Sequence, residues 1–299
     1  MQVEQAAEVA DHEQLVLALV GEELGASLGF LEPRVEVGDV LADGGSACAC
    51  RGLADEVADQ QPQQQVPTYE EALRRVDLAP GQRVLDIGCG AGTFLRLVAD
   101  RGAKPYGLDA SQALIELARR RVPAADLRVG EMEALPYDDE RFDLVTGFNS
   151  FFFANDFVAA LREAGRVAKP GAPVIIQVWG PHDRNDLEAM KQIVRPFMPP
   201  RPADAPPEPD YSAPGILEEL AARAGLEPGE TFDTSYAFEY PDEETLGRML
   251  VAPAGIATLV GPEREREVRD AIVAGLASYR RPDGSYRLEN EFHFLVARA

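Results

Sequence analysis

The sequence predicts an α/β protein whose parallel sheet is covered by helices on both faces, and three observations predict it. The first is the stretch Val84-Leu85-Asp86-Ile87-Gly88-Cys89-Gly90-Ala91-Gly92-Thr93-Phe94. An apolar run holding an acid, three glycines at alternate positions and an apolar helical pattern from Phe94 together read as a buried parallel strand, a tight turn and a helix start. The second is that strand-like and helix-like patterns alternate from Arg83 to Trp179, as a layered α/β sheet requires. The third is size: 299 residues, 45% of them hydrophobic, can bury a full core as one large domain or as one domain with a sizeable insertion.

Taken in order, Thr68 and Glu71 form a capping-box pattern ahead of a short helix through Arg75, and Pro80-Gly81 turns the chain into a first strand, Arg83 to Ile87. Glycine at 88, 90 and 92 removes the Cβ atoms that would hold a ligand away from the backbone and permits positive φ. A helix over Phe94 to Asp100 follows, then a second strand, Pro105 to Leu108, ending on Asp109. An acid there is placed to accept hydrogen bonds from both hydroxyls of a ribose; equally, it suits the N-terminus of a helix over Ser111 to Arg121. A third strand, Asp126 to Val129, leads into Gly130-Glu131-Met132-Glu133-Ala134-Leu135-Pro136. A fourth, Phe142 to Gly147, is followed by Phe148, Asn149, Ser150 and three phenylalanines, Phe151 to Phe153, which either wall a pocket or seat a helix on the sheet. Phe157, Leu161, Ala164 and Val167 recur at helical spacing; Lys169-Pro170-Gly171 ends that helix, and Pro173 to Trp179 is a fifth strand.

Asp86-x-Gly88-x-Gly90-x-Gly92 resembles the nucleotide-binding motif of class I S-adenosylmethionine-dependent methyltransferases, and the helix-Lys-Pro-Gly-strand passage resembles the same family. From Arg83 to Trp179 the resemblance covers roughly a third of the chain. It implies a doubly wound, seven-stranded, mostly parallel sheet of Rossmann-like type, S-adenosylmethionine as cofactor and a small-molecule methyl acceptor, with no metal required. It places the cofactor against Asp86, Gly88, Cys89, Gly90 and Gly92, against Asp109 and Ala110, against Glu131 and Met132 at the adenine, and against Phe148 and Asn149. Glu131 stands where relatives more often carry Asp, and Met132 is also suited to core packing. A dinucleotide fingerprint would need glycine at 93, where Thr93 stands, and a P-loop would need a lysine. Asn-Pro-Pro-Tyr and Pro-Cys, the signatures of amide-nitrogen and cytosine-carbon methylation, are missing after the fourth strand. A non-catalytic regulator that binds S-adenosylmethionine without turnover remains the alternative from another class.

Charge and cysteine content narrow the partners. A net charge of -22 disfavours nucleic acid and acidic membrane surfaces, which are held by clustered Lys and Arg. Cys48, Cys50 and Cys89 offer neither a disulfide framework nor a four-ligand zinc site, which suits a reducing, cytoplasmic setting. No stretch has the length of a membrane span. Residues 1 to 66 hold thirteen acids against two arginines, half the net charge, and read as a solvated extension, with a short helix over Asp11 to Leu24 and a low-complexity tract at Gln60 to Gln65.

Beyond Trp179 the pattern gives helices over Leu187 to Val194, Gly215 to Ala224, Glu243 to Leu250 and Pro262 to Tyr279. The last carries Val268, Ile272, Leu276 and Tyr279 on one face. Pro196 to Pro209 is a proline-rich loop, Thr231 to Tyr240 an alternating strand, and Asn290 to Ala297 an antiparallel edge strand. The expected organisation is an extension over 1–66 and a methyltransferase domain over 67–299, in which 180–285 contains a helical lid insertion that shapes the acceptor site. The chemistry expected is alignment of the acceptor without a dedicated general base, with His182, Tyr211 or Asn149 orienting it. His293, opposed in its strand to Phe292 and Phe294, reads as structural.

Overall fold

The computed structural model describes residues 64–198, 209–251 and 262–299. The helix expected at Asp11 to Leu24, nearly all of the acidic extension and most of the proline-rich loop lie outside the described residues. The elements run α1 (Val66–Arg74), β1 (Arg83–Ile87), α2 (Thr93–Asp100), β2 (Lys104–Asp109), α3 (Gln112–Arg121), β3 (Asp126–Val129), β4 (Leu144–Phe148), α4 (Phe157–Val167), β5 (Pro173–Trp179), α5 (Leu187–Val194), α6 (Ile216–Arg223), β6 (Thr231–Tyr240), α7 (Glu243–Val251), α8 (Pro262–Gly275) and β7 (Tyr286–Arg298).

The strands form one seven-stranded sheet in the order β3-β2-β1-β4-β5-β7-β6. Neighbours from β3 to β5 pair in parallel, and β7 runs antiparallel to β5. The order reverses between β1 and β4, which makes the carboxyl ends of those two strands the switch point where α/β sheets receive ligands. Alternation along the strands sorts the side chains into two faces. Leu85, Ile87, Val145, Ile176, Val178 and Leu295 project to one face, where they pack with Phe157, Leu161 and Ala164 of α4 and with Leu217 and Ala221 of α6. Burying each such aliphatic side chain contributes about 1.5–3 kcal/mol, so this layer is what fixes the register of the central strands. Asp86, Thr146, Phe148 and Gln177 fall on the other face.

By contact density the chain divides into two compact units. Among the described residues, the larger comprises 64–187, 209–238 and 288–299, and the smaller 188–198, 239–251 and 262–287. In the smaller unit α7 packs on α8, with Gly247 so close to Arg269 that an added Cβ would lie 2.5 Å from its Cγ. The buried stripe Val268, Ile272, Leu276 forms as the spacing predicts, but Tyr279 belongs to a separate helical turn, Ala277–Tyr279.

Four further boundaries differ from expectation for physical reasons. Helix α1 starts at Val66 with Gln65 as N-cap, not at Thr68, because Pro67 suits a first turn. The Thr68 hydroxyl donates to the Gln65 carbonyl while Glu71 pairs with Arg74 and Arg75, so no capping box closes. Phe142 makes only an isolated bridge to Ala168, and β4 begins at Leu144. The C-terminal strand is longer than Asn290 to Ala297 and is not an edge: β6 lies outside it, and its run of buried residues on both faces reflects that interior place. Asp109 is not the N-cap of α3; Ser111 is, its hydroxyl accepting the Leu114 amide.

Candidate active site

The turn after β1 is shaped by glycine and by contacts from distant residues. Gly88, Gly90 and Gly92 have φ of +71°, +51° and +79°. At Gly88 a Cβ would lie 2.4 Å from the Ser150 Cβ, and the Ser150 hydroxyl donates to the Ile87 carbonyl at 2.6 Å, so the loops after β1 and β4 are locked together. Gly92 is the N-cap of α2. Arg121 at the end of α3 donates to the Ala91 carbonyl and the Thr93 hydroxyl, holding the far side of the turn. Cys89 is buried within it, and its thiol is pushed up by burial and by the carboxylates of Asp109 and Asp86.

Two buried carboxylates flank this turn. Asp86 accepts the Thr146 hydroxyl at 2.7 Å. Burial holds its pKa well above the ordinary carboxylate range, and the Thr146 bond only partly offsets this. Asp109, at the end of β2, accepts the Gly90 amide at Oδ2 (2.9 Å) and the Ser111 amide at Oδ1 (2.8 Å). Burial raises its pKa too, against the pull of those two amides. Each Asp109 oxygen therefore spends one acceptor site on the backbone and keeps capacity for a second donor. Ala110 beside it is exposed, and so is Glu131 beyond β3.

The remaining candidates disperse. Met132 is half-buried against the α4-side core, so it is partly a packing residue. Phe148 packs under Phe94 and Tyr69, whose rings lie 4.6 Å from its own. Asn149 directly follows β4 in the left-handed region, φ +52°, its amide bonded to the Gln177 carbonyl, while its side-chain nitrogen and oxygen are buried with no partner. Tyr211 stacks on Phe157 at 4.9 Å and lies with Phe152 against the α4-side core, the face opposite Asp86; burial raises its pKa. His182 is exposed in a single turn after β5. His293 pairs with Asp233 at 2.6 Å, on the alternate positions to Phe292 and Phe294. Of the three phenylalanines, Phe151 is core against Phe157, whereas Phe152 and Phe153 pack on each other.

Thr146, Ser150, Arg121 and Gln177 were not anticipated as parts of this region. Thr146 and Gln177 had a usable signal, being single polar residues inside apolar strands. Arg121 had none, since its targets lie 28 and 30 residues earlier.

A Rossmann-like sheet with an acid-flanked, three-glycine turn at its switch point defines the class I methyltransferase fold. Comparison with known proteins agrees: a methyltransferase-domain family model matches residues 85–176. Malonyl-(acyl-carrier protein) O-methyltransferase of Halorhodospira halophila is 30% identical over 72% of this chain and 72% of its own length. The demethylmenaquinone methyltransferase of Renibacterium salmoninarum is 39% identical over 34% of this chain, and the aligned part spans 43% of that relative. Among solved structures, the (4+2)-cyclase SpnF superposes with a TM-score of 0.51 over 97% of this chain and 94% of its own at 21% identity, a likeness of fold alone. The chain belongs to the class I S-adenosylmethionine-dependent methyltransferase family and is a methyltransferase enzyme. Among the described residues, no helix is long and apolar enough to cross a membrane.

Proposed function

We propose that this chain binds S-adenosylmethionine at the turn after β1 and transfers its methyl group to a small-molecule acceptor. The observation that carries the reading is the Asp109 carboxylate, which ties the glycine turn to the end of β2 and keeps acceptor capacity on both oxygens. The residues present fit such a cofactor. Gly88, Gly90 and Gly92 present backbone without side chains, Asp109 suits the ribose hydroxyls, and Ala110, Glu131 and Met132 stand beyond β2 and β3 for the adenine. Phe148, Asn149 and the Cys89 backbone complete the set, while Asp86 serves through Thr146 and the strand. The bound cofactor supplies a sulfonium-activated methyl group. The protein's part is to orient an acceptor and exclude water, which is worth several kcal/mol of barrier when alignment is good.

Orientation of the acceptor by His182, Tyr211 or Asn149 is part of this proposal, as is a helical lid contained within residues 180–285. Residues 1–66 are read as an acidic extension and the setting as cytoplasmic, the first resting on charge and the second on sparse cysteine. The net charge also supports a partner other than nucleic acid or membrane. The test is incubation of the purified chain with methyl-labelled S-adenosylmethionine and a fractionated metabolite extract. Label should move into a low-molecular-weight fraction; label found only in added RNA or DNA, or in none, would contradict the reading.

A further inference from the structure

The sheet face that carries Asp86 and Thr146 continues across β5, β7 and β6 as a strip of rings and unpartnered neutral polar groups. Register pairs Phe148 with Gln177 and Gln177 with Phe294, and one repeat further Trp179 with Phe292, so these side chains share that face. Gln177 is wholly buried, yet neither its amide nitrogen nor its oxygen has a partner. On three half-buried residues, the Trp179 indole nitrogen, the Thr234 hydroxyl and both side-chain polar atoms of Asn149 are likewise buried atoms without a partner. Rings lie along the same strip, and the Arg75 guanidinium sits 4.1 Å over one of them, Phe232. Phe232 stacks on Phe294 at 4.6 Å and 9°, Phe148 approaches Phe294 at 6.4 Å, and Trp179 lies 4.9 Å from Phe292.

Buried donors and acceptors without partners cost stability and are rare, so several on one face require an account. Packing alone would be better served by leucine or valine at 177 and 234. Asn149 directly follows β4, beside the switch point.

We propose that Gln177, with Asn149, Trp179 and Thr234, forms the recognition set for the methyl acceptor, and that the acceptor is an uncharged aromatic compound bearing hydrogen-bonding oxygen substituents. The inference rests on the methyltransferase reading and deepens it. The rings supply an aromatic wall for a planar ligand. The two side-chain amides and the hydroxyl offer both donors and acceptors, and the indole N–H adds a donor. Every member of the set is neutral, and the cation nearest the strip, Arg75 over Phe232, is already paired with Glu71 and Glu230, so a carboxylate or ammonium on the ligand would enter without a free counter-charge and is disfavoured.

Trp179 is the single tryptophan of the chain, so its fluorescence reports this strip without labelling. The probes are methyl 4-hydroxybenzoate, which is neutral, and its charged analogues 4-hydroxybenzoate and tyramine, each titrated in the presence of saturating S-adenosylhomocysteine. Saturable quenching by the neutral phenol, at least tenfold tighter than either charged analogue, is expected. Gln177→Leu should weaken the neutral probe at least tenfold, leave S-adenosylhomocysteine affinity within twofold, and raise the melting temperature, since two unsatisfied atoms leave the interior. Thr234→Val provides the same comparison at a less buried place, with a threefold or greater loss of probe. Equal binding of charged and neutral probes, no saturable quenching, or a lowered melting temperature in Gln177→Leu would overturn the assignment. Loss of S-adenosylhomocysteine binding by the native chain would instead fault the methyltransferase reading beneath it.

Discussion

Replacing Asp109 by asparagine separates a ligand-binding carboxylate from one that merely shapes a loop. The side chain accepts the Gly90 and Ser111 amides, one on each oxygen, at 2.9 and 2.8 Å. Asparagine keeps the shape and one acceptor, but its amino group must face one of those two N–H groups. That removes a hydrogen bond to a charged acceptor, about 1.5–3 kcal/mol. Part is returned because burial already disfavours the carboxylate, so the net loss of stability is about 1–2 kcal/mol. For a chain of this size the melting temperature should fall by roughly 2–8 °C. Cofactor binding should suffer more, because the same oxygens are proposed to receive two hydroxyls. A loss of about 2–4 kcal/mol weakens S-adenosylhomocysteine by about 30- to 1000-fold. Scanning calorimetry and isothermal titration read the two quantities separately. A lower melting temperature with the S-adenosylhomocysteine Kd unchanged within threefold would refute the reasoning, leaving Asp109 a purely structural residue.

Three further outcomes are expected. Gly88→Ala combines a left-handed φ of +71° with a Cβ 2.4 Å from that of Ser150, so it should lower the melting temperature markedly and weaken S-adenosylhomocysteine; a native-like melting curve would contradict the packing at this turn. Asp86 has a folded pKa raised above its unfolded value, so the folded chain binds the extra proton and stability falls as pH rises from about 4 through the folded pKa. Asp86→Asn should therefore flatten the pH dependence of the denaturant midpoint and be at least as stable as the native chain at pH 8, whereas an unchanged slope would mean that Asp86 does not titrate in that window. His182→Gln and His293→Gln should each keep turnover within about tenfold at unchanged cofactor affinity, since loss of a true general base costs about 10²- to 10⁴-fold; a thousandfold loss from either would establish one.

The fold was legible where local chemistry and tertiary place agree. The glycine turn, the strand-helix alternation to Trp179 and Asp109 at the end of β2 all announce themselves, because each is a short-range pattern with one structural solution. The last strand was misplaced as an edge because its apolar run states that both faces are buried but not which neighbour covers them. Thr68 and Glu71 misled for a related reason: a capping-box spacing is equally an i to i+3 pair inside a helix, and Pro67 decided the start. Parts of the site that depend on long-range closure, such as Arg121 holding Ala91 and Thr93, leave no trace in spacing. Gln177 was visible as a lone polar residue in an apolar strand, but only its burial without partners gives it meaning.

The most direct measurement is calorimetric titration of the native chain with S-adenosylhomocysteine and, separately, with NAD. One S-adenosylhomocysteine bound per chain with no heat from NAD is the predicted result, since Thr93 stands where a dinucleotide fingerprint needs its third glycine. Measurable NAD binding with no response to S-adenosylhomocysteine would contradict it.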